Sequence, residues 1–342
     1  MANFKPEFGV QFLKAVVWTR YGSPDVLQLR EVKTPTPKDN EVLIRIHATT
    51  VTAGDCEQRA LKLPFWYSLT MRAYVGLRKP KRISCLGMDL AGEIESVGPN
   101  VKRFKNGDQV FASTGFVHMG TNAEYICLPE QPPDGAITHK PKNMTFIEAA
   151  CVPTGGMEAL SFLRKAKLKD GQTVLINGAA GTIGPFAVQL AKHFGAQVSV
   201  VDSKPKLDML QSIGADHVID YAQKDFTKSG KKYDLILDLV GKASFSGSIN
   251  SLNRNGQYHI ANPKLLQVFR GRLTSFFSSK KVLFGGTTPK IEDLVFLKKL
   301  IEARKLRSVV DKTFPLVQTV KAHKYVETGQ KIGNVILIVT NN

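Results

Sequence analysis

Short alternations of apolar and polar residues fill most of the first 140 positions. Lys14–Trp18, Leu27–Val32 and Glu41–Ala48 each alternate in this way, and Pro24, the Thr34-Pro35-Thr36-Pro37 cluster and Asp39-Asn40 punctuate them. Gly87–Val97 and Gln109–Phe111 continue the pattern, with turn signals at Gly98-Pro99-Asn100 and Asn106-Gly107-Asp108. Such runs predict β-strands joined by turns, so the N-terminal part reads as mostly β. From about Thr145 the period changes. Thr145 is a helix N-cap with Glu148 three residues on, the capping-box spacing, and Glu158–Ala166 reads as a helix. Strands then alternate with helices: Thr173–Asn177, Gln197–Val201, His217–Ile219, Leu235–Leu239, Gln257–Ile260 and Lys281–Gly285. This succession predicts a doubly wound parallel sheet, and the chain as a whole is expected to be α/β. Glu292–Arg304 reads as a helix, and Phe314–Val317 and Asn334–Val339 return to strand character.

One stretch within this alternation carries a chemical message. The apolar run from Val174 enters a turn with glycines at 178, 181 and 184, and Pro185–Phe194 leaves it as an amphipathic helix. A second apolar run, Val198–Val201, ends in Asp202. Strand, glycine turn, helix, strand and acid, in that order, build a dinucleotide site. Glycine lets the backbone approach a pyrophosphate, and the helix start offers unpaired N–H groups and a positive dipole end. Gly178, Ala180, Gly181, Thr182, Ile183 and Gly184 are the expected phosphate cradle. The rival P-loop would need a Gly-Lys-Ser/Thr ending, which is missing here.

Composition narrows the class. A chain of 342 residues, 43% hydrophobic and 22% charged, suits a soluble protein of two domains. No apolar run approaches the roughly 20 residues that span a bilayer, and Met1–Phe12 has no continuous apolar segment of the kind a secretory signal needs. Cys56, Cys85, Cys127 and Cys151 lie far apart, which predicts free thiols and a cytoplasmic location. Lys and Arg number 47 against 29 Asp and Glu, a net charge of +18. That excess favours anionic partners: an NADP-type cofactor, an acidic lipid surface or a nucleic acid. No RNP-like, zinc-finger or helix-turn-helix pattern accompanies it, so a nucleic-acid partner is not expected. Two segments, Lys62–Ile83 and Leu265–Phe284, mix basic and large apolar residues. They read either as a substrate lid and a dimer-facing or core helix, or as peripheral contacts with an anionic membrane.

Three motif groups extend the reading over nearly the whole chain. They are Gly87–Gly98 with Phe104–Val110, the glycine turn with Phe186–Lys192, and Ile213–Tyr221 with Tyr233–Asp238. In these the sequence resembles the medium-chain dehydrogenase/reductase superfamily, most closely its zinc-free, quinone-oxidoreductase-like branch. The resemblance implies a GroES-like, mostly β catalytic domain from residues 1–146 with 289–342, and an inserted Rossmann domain over 147–288. Cofactor and substrate would meet in the cleft between them, and a homodimer would form through the strand near Lys281–Gly285. At the positions where zinc-dependent relatives carry their ligands, this chain has Thr52, the run Gly87-Met88-Asp89, and Cys151 near the third. A hydroxyl and a thioether do not build a zinc tetrahedron, so no metal is expected. Gly54 stands where alcohol dehydrogenases carry a relay hydroxyl. Asp55 and Tyr67 remain as candidate acids, beside structural and pocket-lining roles for Asp55, Trp66 and Tyr67. Asp202 favours NADH, whereas Ser203, Lys204 and Lys206 favour a 2′-phosphate. Tyr221 matches a tyrosine beside that phosphate, and Thr154, Val240 and Gly241 match positions lining the nicotinamide. The expectation is a zinc-independent reductase using NADPH, with NADH possible, that reduces a quinone or another conjugated carbonyl. The alternatives are an alkenal or enoyl reductase on the same scaffold, or an NADPH-binding protein with little turnover that contacts RNA or a membrane surface.

Overall fold

The computed structural model describes residues 12–63, 65–286 and 290–340, with only the backbone at 65–67. The N-terminal strands are β1 (Phe12–Trp18), β2 (Leu27–Lys33), β3 (Glu41–Val51), β4 (Asp89–Val97), β5 (Gln109–Ser113), β6 (Tyr125–Pro129) and β7 (Ala136–His139). Next come β8 (Thr173–Asn177), β9 (Gln197–Asp202), β10 (His217–Asp220), β11 (Tyr233–Asp238), β12 (Leu252–Ile260) and β13 (Lys281–Phe284). β14 (Val310–Pro315) and β15 (Asn334–Ile338) close the chain. β1 and β2 form a hairpin sheet of their own. A seven-stranded sheet runs β14-β15-β3-β4-β5-β7, with β6 beside β3, so both ends of the chain build it.

The remaining six strands form one parallel sheet in the order β10-β9-β8-β11-β12-β13. This is the doubly wound order, and its switch point lies between β8 and β11. Dinucleotides bind in the crevice above the strand ends at such a point. β8 is buried along Val174–Asn177, as a central strand covered on both faces must be. The sheet is covered in part by α4 (Pro153–Lys165) and α5 (Gly184–His193). Gly155 lets α4 press against the glycine turn: a Cβ there would sit 2.6 Å from the Thr182 carbonyl oxygen. One buried cluster joins the two large sheets, since Ala48, Ala91, Phe111 and Ile336 share it with Val174, Ile176 and Leu237. Among the described residues no helix is long and apolar enough to cross a membrane.

The expected α/β architecture is present, with local differences. The strand expected at Phe314–Val317 starts earlier, at Val310, and ends at Pro315, after which Leu316–Gln318 make a 3-10 turn. Polar Asp311 and Lys312 hid the strand, because only β15 flanks it and half its face meets water. The helix expected over Glu158–Ala166 begins five residues earlier, at Pro153; Pro153 and the Gly155-Gly156 pair disguise a turn selected for close packing. The strand expected from Gly87 starts at Asp89. Three short helices, α1 (Ala53–Ala60), α6 (Leu207–Ser212) and α7 (Phe245–Asn250), were not legible as periodic patterns. Also missed was α10 (Thr319–Glu327), which lies between β14 and β15.

Candidate active site

The glycine turn leaves β8 at the switch point, and each glycine has a separate reason. Gly178 has φ +79°, donates to the Val201 carbonyl at 2.9 Å, and would place a Cβ 2.5 Å from Val240 Cγ1. Gly184 starts α5 so close to Ala179 that a Cβ would be 2.0 Å from its carbonyl oxygen. Gly181 differs: a Cβ there would meet nothing nearer than the Gly178 oxygen at 3.9 Å. It is packed by nothing and borders open space. No side chain caps the start of α5, and Pro185 stands in its first turn. Free helix-start amides beside an uncrowded glycine fit a phosphate group.

Asp202 ends β9 and is buried. Its Oδ2 accepts from the Ala180 N–H (2.9 Å), its Oδ1 accepts from the Ser203 N–H (2.9 Å), and Lys206 Nζ lies 3.5 Å away. The acid that would hold a ribose hydroxyl in an NADH site is thus turned toward the glycine turn and paired with a cation. Lys204 and the Tyr221 ring are exposed at the same rim, and the Tyr221 N–H donates to the Asp202 carbonyl at 3.2 Å.

Across the switch point, Asp238 at the end of β11 organises the turn that holds Val240 and Gly241. Its Oδ1 accepts from Asn177 Nδ2 (3.0 Å), the Val240 N–H (3.3 Å) and the Gly241 N–H (2.9 Å). Its Oδ2 accepts from the Tyr258 hydroxyl at 2.8 Å. Gly241 has φ +65°, and Val240 stands exposed over Gly178. In the sequence Asp238 stood out only as the last residue of the Tyr233–Asp238 motif, with no role attached to it.

Thr154 is fixed from the other sheet. Asp89 Oδ1 accepts from the Thr154 N–H (3.0 Å) and hydroxyl (2.7 Å), and Ser113 Oγ lies 3.2 Å from that hydroxyl. Asp89 Oδ2 accepts from the Thr50 hydroxyl at 3.2 Å. Asp89 is fully buried, and burial pushes its carboxyl up to about 7 against the pull of these donors; the nearby Asp55 adds to the rise.

At the positions that the resemblance sets against the zinc ligands of metal-dependent relatives, Thr52, Asp89 and Cys151 have other partners here. Thr52 caps α1: its N–H and hydroxyl donate to Asp55 Oδ2 at 2.8 and 2.7 Å, and the Asp55 N–H returns a bond to Thr52 Oγ1 at 3.2 Å. Asp55 is buried, and burial raises its carboxyl pKa. Met88 offers a thioether, the Asp89 carboxylate serves Thr154 and Thr50, and the Cys151 thiol donates to the Ile147 carbonyl at 3.4 Å. Among the described residues no three His, Cys, Asp or Glu side chains converge as a metal site. This donor set does not fit zinc. The close Cys–His contact, Cys56 Sγ to His323 Nδ1 at 3.3 Å, is not a nucleophilic pair. Burial pushes the thiol up to about 12 and the imidazole down to about 3, so both are neutral. The side chains of Trp66 and Tyr67 lie outside the described residues.

Lys331 joins the site and was missed by sequence reasoning. Its Nζ donates to Thr182 Oγ1 at 2.9 Å and to the Gly333 carbonyl at 2.7 Å, while the Gly333 N–H donates to the Ala180 carbonyl at 2.8 Å. A lone lysine far along the chain from the turn it touches reads as a solvated charge.

A glycine turn at the switch point of a doubly wound sheet, facing a second sheet built from both chain ends, defines a nicotinamide-nucleotide-dependent oxidoreductase. Residues 38–135 match the family described as alcohol dehydrogenase GroES-like domain, and residues 213–337 match zinc-binding dehydrogenase. The chain is 32% identical to 2-methylene-furan-3-one reductase of Solanum lycopersicum, over 95% of this chain and 79% of that protein. It is 30% identical to the chloroplast envelope quinone oxidoreductase homolog of Arabidopsis thaliana, over 96% and 98% of the two chains. The solved structure of the quinone oxidoreductase from Coxiella burnetii superposes with a TM-score of 0.85 at 30% identity, covering 96% of this chain and 100% of that one. The chain belongs to the medium-chain dehydrogenase/reductase superfamily, in its quinone-oxidoreductase-like branch, and is an NAD(P)H-dependent oxidoreductase.

Proposed function

We propose that this enzyme reduces a quinone or another conjugated carbonyl with NADPH, without a catalytic metal. The observation that carries the reading is the fate of the metal positions: Thr52 caps a helix and Asp89 is engaged by Thr154 and Thr50. Without a Lewis acid the acceptor must take hydride readily and delocalise the resulting anion, which conjugated carbonyls do. When bound, a dihydronicotinamide supplies a hydride at its ring C4. The protein's part is orientation. Thr154, held by Asp89, and the Val240–Gly241 turn, held by Asp238, form the nicotinamide end of the crevice. Gly178, Ala180, Gly181, Thr182, Ile183 and Gly184 take the pyrophosphate. Solvent returns the proton to the reduced product. The catalytic unit is then 1–146 with 289–342, and 147–288 is the cofactor unit.

Pairing of Asp202 with Lys206 supports NADPH over NADH, since it removes the charge that would repel a 2′-phosphate. Ser203, Lys204, Lys206 and Tyr221 then surround that phosphate. An enone reductase is the second reading, favoured by the likeness to the tomato furanone reductase. β13 is an edge strand, and the neighbouring α8 (Leu265–Phe277) exposes Leu265, Leu266, Phe269, Phe276 and Phe277. These features support a homodimer, and the free thiols of Cys56, Cys85, Cys127 and Cys151 support a cytoplasmic location; the flanking Arg272 and Lys281 make peripheral membrane contact the competing use of that face.

The test is oxidation of NADPH and of NADH by protein dialysed against a zinc chelator, with ortho- and para-quinones and with enones as acceptors. Turnover that survives chelation, and is faster with NADPH, is expected. Activity restored only by added zinc would overturn the metal-free reading, and equal rates with both cofactors would overturn the preference.

A further inference from the structure

The segment between α10 and β15 leaves the seven-stranded sheet and lies along the glycine turn of the other sheet. Three bonds hold it there. Lys206 Nζ donates to the Gly329 carbonyl (2.8 Å), Lys331 Nζ donates to Thr182 Oγ1 (2.9 Å), and the Gly333 N–H donates to the Ala180 carbonyl (2.8 Å). Gly333 has φ +89°, and a Cβ there would be 2.4 Å from the Val309 carbonyl oxygen, so the path of the segment is tightly set.

Lys331 is the unusual member. It is 7% exposed, yet among the described residues no carboxylate stands within ion-pair distance of it. Its two partners, Thr182 Oγ1 and the Gly333 carbonyl, are neutral, and an ammonium has three donors to place. A buried cation without a counter-charge is costly. Burial accordingly lowers its pKa to about 8, and the charge of Lys206 pushes the same way. Asp311 pulls in the other direction, while the Cys151 and Cys56 thiols near it are neutral. Asp311 does not supply the missing partner, because its Oδ2 already accepts from the Tyr325 hydroxyl (2.8 Å) and the Ile332 N–H (3.1 Å). Nor does Asp202, which is paired with Lys206 and two amides. Two ammonium groups therefore flank the glycine turn with one carboxylate between them, beside helix-start amides that also lack a partner. The site is short of one anion.

We propose that Lys331 binds the cofactor's pyrophosphate, and that through it the segment 328–333 ties cofactor binding to the junction of the two sheets. The assignment rests on the dinucleotide reading of the glycine turn. The pyrophosphate is common to NADPH and NADH, so Lys331 serves both, whereas Ser203, Lys204 and Lys206 discriminate between them. An anion that takes the third donor also stabilises the charged ammonium. Cofactor binding above the free lysine's pKa must therefore draw a proton from solvent.

Calorimetric titration of the full chain with each dinucleotide, in phosphate-free buffers of different ionisation enthalpy, reads both effects. At about pH 7 the lysine is already charged, so binding should take up little; at about pH 9 it should take up a proton, where the 2′-phosphate is fully ionised and silent. Lys331→Met should weaken NADPH and NADH alike, by roughly 10- to 100-fold, and abolish the uptake at about pH 9. Lys331→Arg should retain most of the affinity without the proton uptake. A folded Lys331→Met with unchanged affinity, or wild-type binding without uptake at the higher pH, would overturn the proposal. Loss confined to NADPH would overturn the pyrophosphate assignment in favour of the 2′-phosphate. The wild-type measurement stands even if the Met variant does not fold. Wild-type protein that binds neither dinucleotide would instead sink the dinucleotide reading itself.

Discussion

At Gly178 a positive φ of +79° coincides with a neighbour, Val240 Cγ1, 2.5 Å from where a Cβ would fall. Gly178→Ala must strain the backbone and displace Val240, so a loss of about 1–3 kcal/mol in urea unfolding is expected, with weaker NADPH binding by fluorescence titration. Asp89 is the second residue where local chemistry is decisive. Its folded pKa, about 7, lies above the ordinary 3.8, so the native state binds more protons between those values. Stability from this group is fully present below the unfolded pKa and is lost as pH rises through about 7. Glu158, pushed by burial to about 7, has the same sign, whereas His259 and His323, held near 4 and 3, have the opposite one. Comparing wild type with Asp89→Asn cancels those other groups. The wild type's advantage in unfolding free energy should shrink between about pH 4.5 and pH 7.5; a constant difference would show that Asp89 does not titrate there. Glycine spacing was legible at this scale because turn geometry is local. The task of Asp89 was not, because its donors Thr50 and Thr154 come from distant positions.

Elements owe their ends to caps and their faces to neighbours. The Thr145–Glu148 capping box was read from sequence and is formed, with 2.8 Å from the Thr145 N–H to Glu148 Oε2. The same device, with the same spacing, forms at Thr52 and Asp55, where aspartate replaces the glutamate of the usual signature and no apolar period follows to mark a helix. Thr52→Ala should cost about 1 kcal/mol in thermal or urea unfolding. α8 illustrates the limit of periodicity. Its apolar spacing was plain, but only Gly271 is buried, pressed on β13 where a Cβ would meet Phe284 Cζ at 2.4 Å. The apolar face points away from its own sheet, which no helical period can indicate. The paired change Phe269→Glu with Phe276→Glu should convert the proposed dimer to a sedimenting monomer and lower the melting temperature in a concentration-dependent way, with the far-UV circular dichroism of the folded chain unchanged. A wild type that sediments as a monomer and floats with anionic vesicles would assign the face to lipid instead.

For the whole molecule, the shared cluster of Ala48, Ala91, Phe111 and Ile336 with Val174 and Ile176 makes two sheets one packing unit. The 328–333 segment adds polar ties across the same junction. Calorimetric melting should therefore show one transition rather than two. NADPH at a hundred times its dissociation constant should raise the stability by about 2.7 kcal/mol and move that transition as a unit. A separate low-temperature transition that NADPH leaves in place would show that the sheets unfold independently.

Sequence alone determined the alternation of strands and helices after Thr145 and the glycine turn with its acid at 202. Both are carried by short patterns along the chain, where period and φ preference act directly. Tertiary structure decided which way those residues face. It turned Asp202 inward onto the Ala180 amide and Lys206, set Asp89 beneath Thr154, extended β14 back to Val310 beside β15, and brought Lys331 across 149 positions to Thr182. These depend on pairing between distant segments, whose free energy resides in burial and in partners that no local pattern encodes.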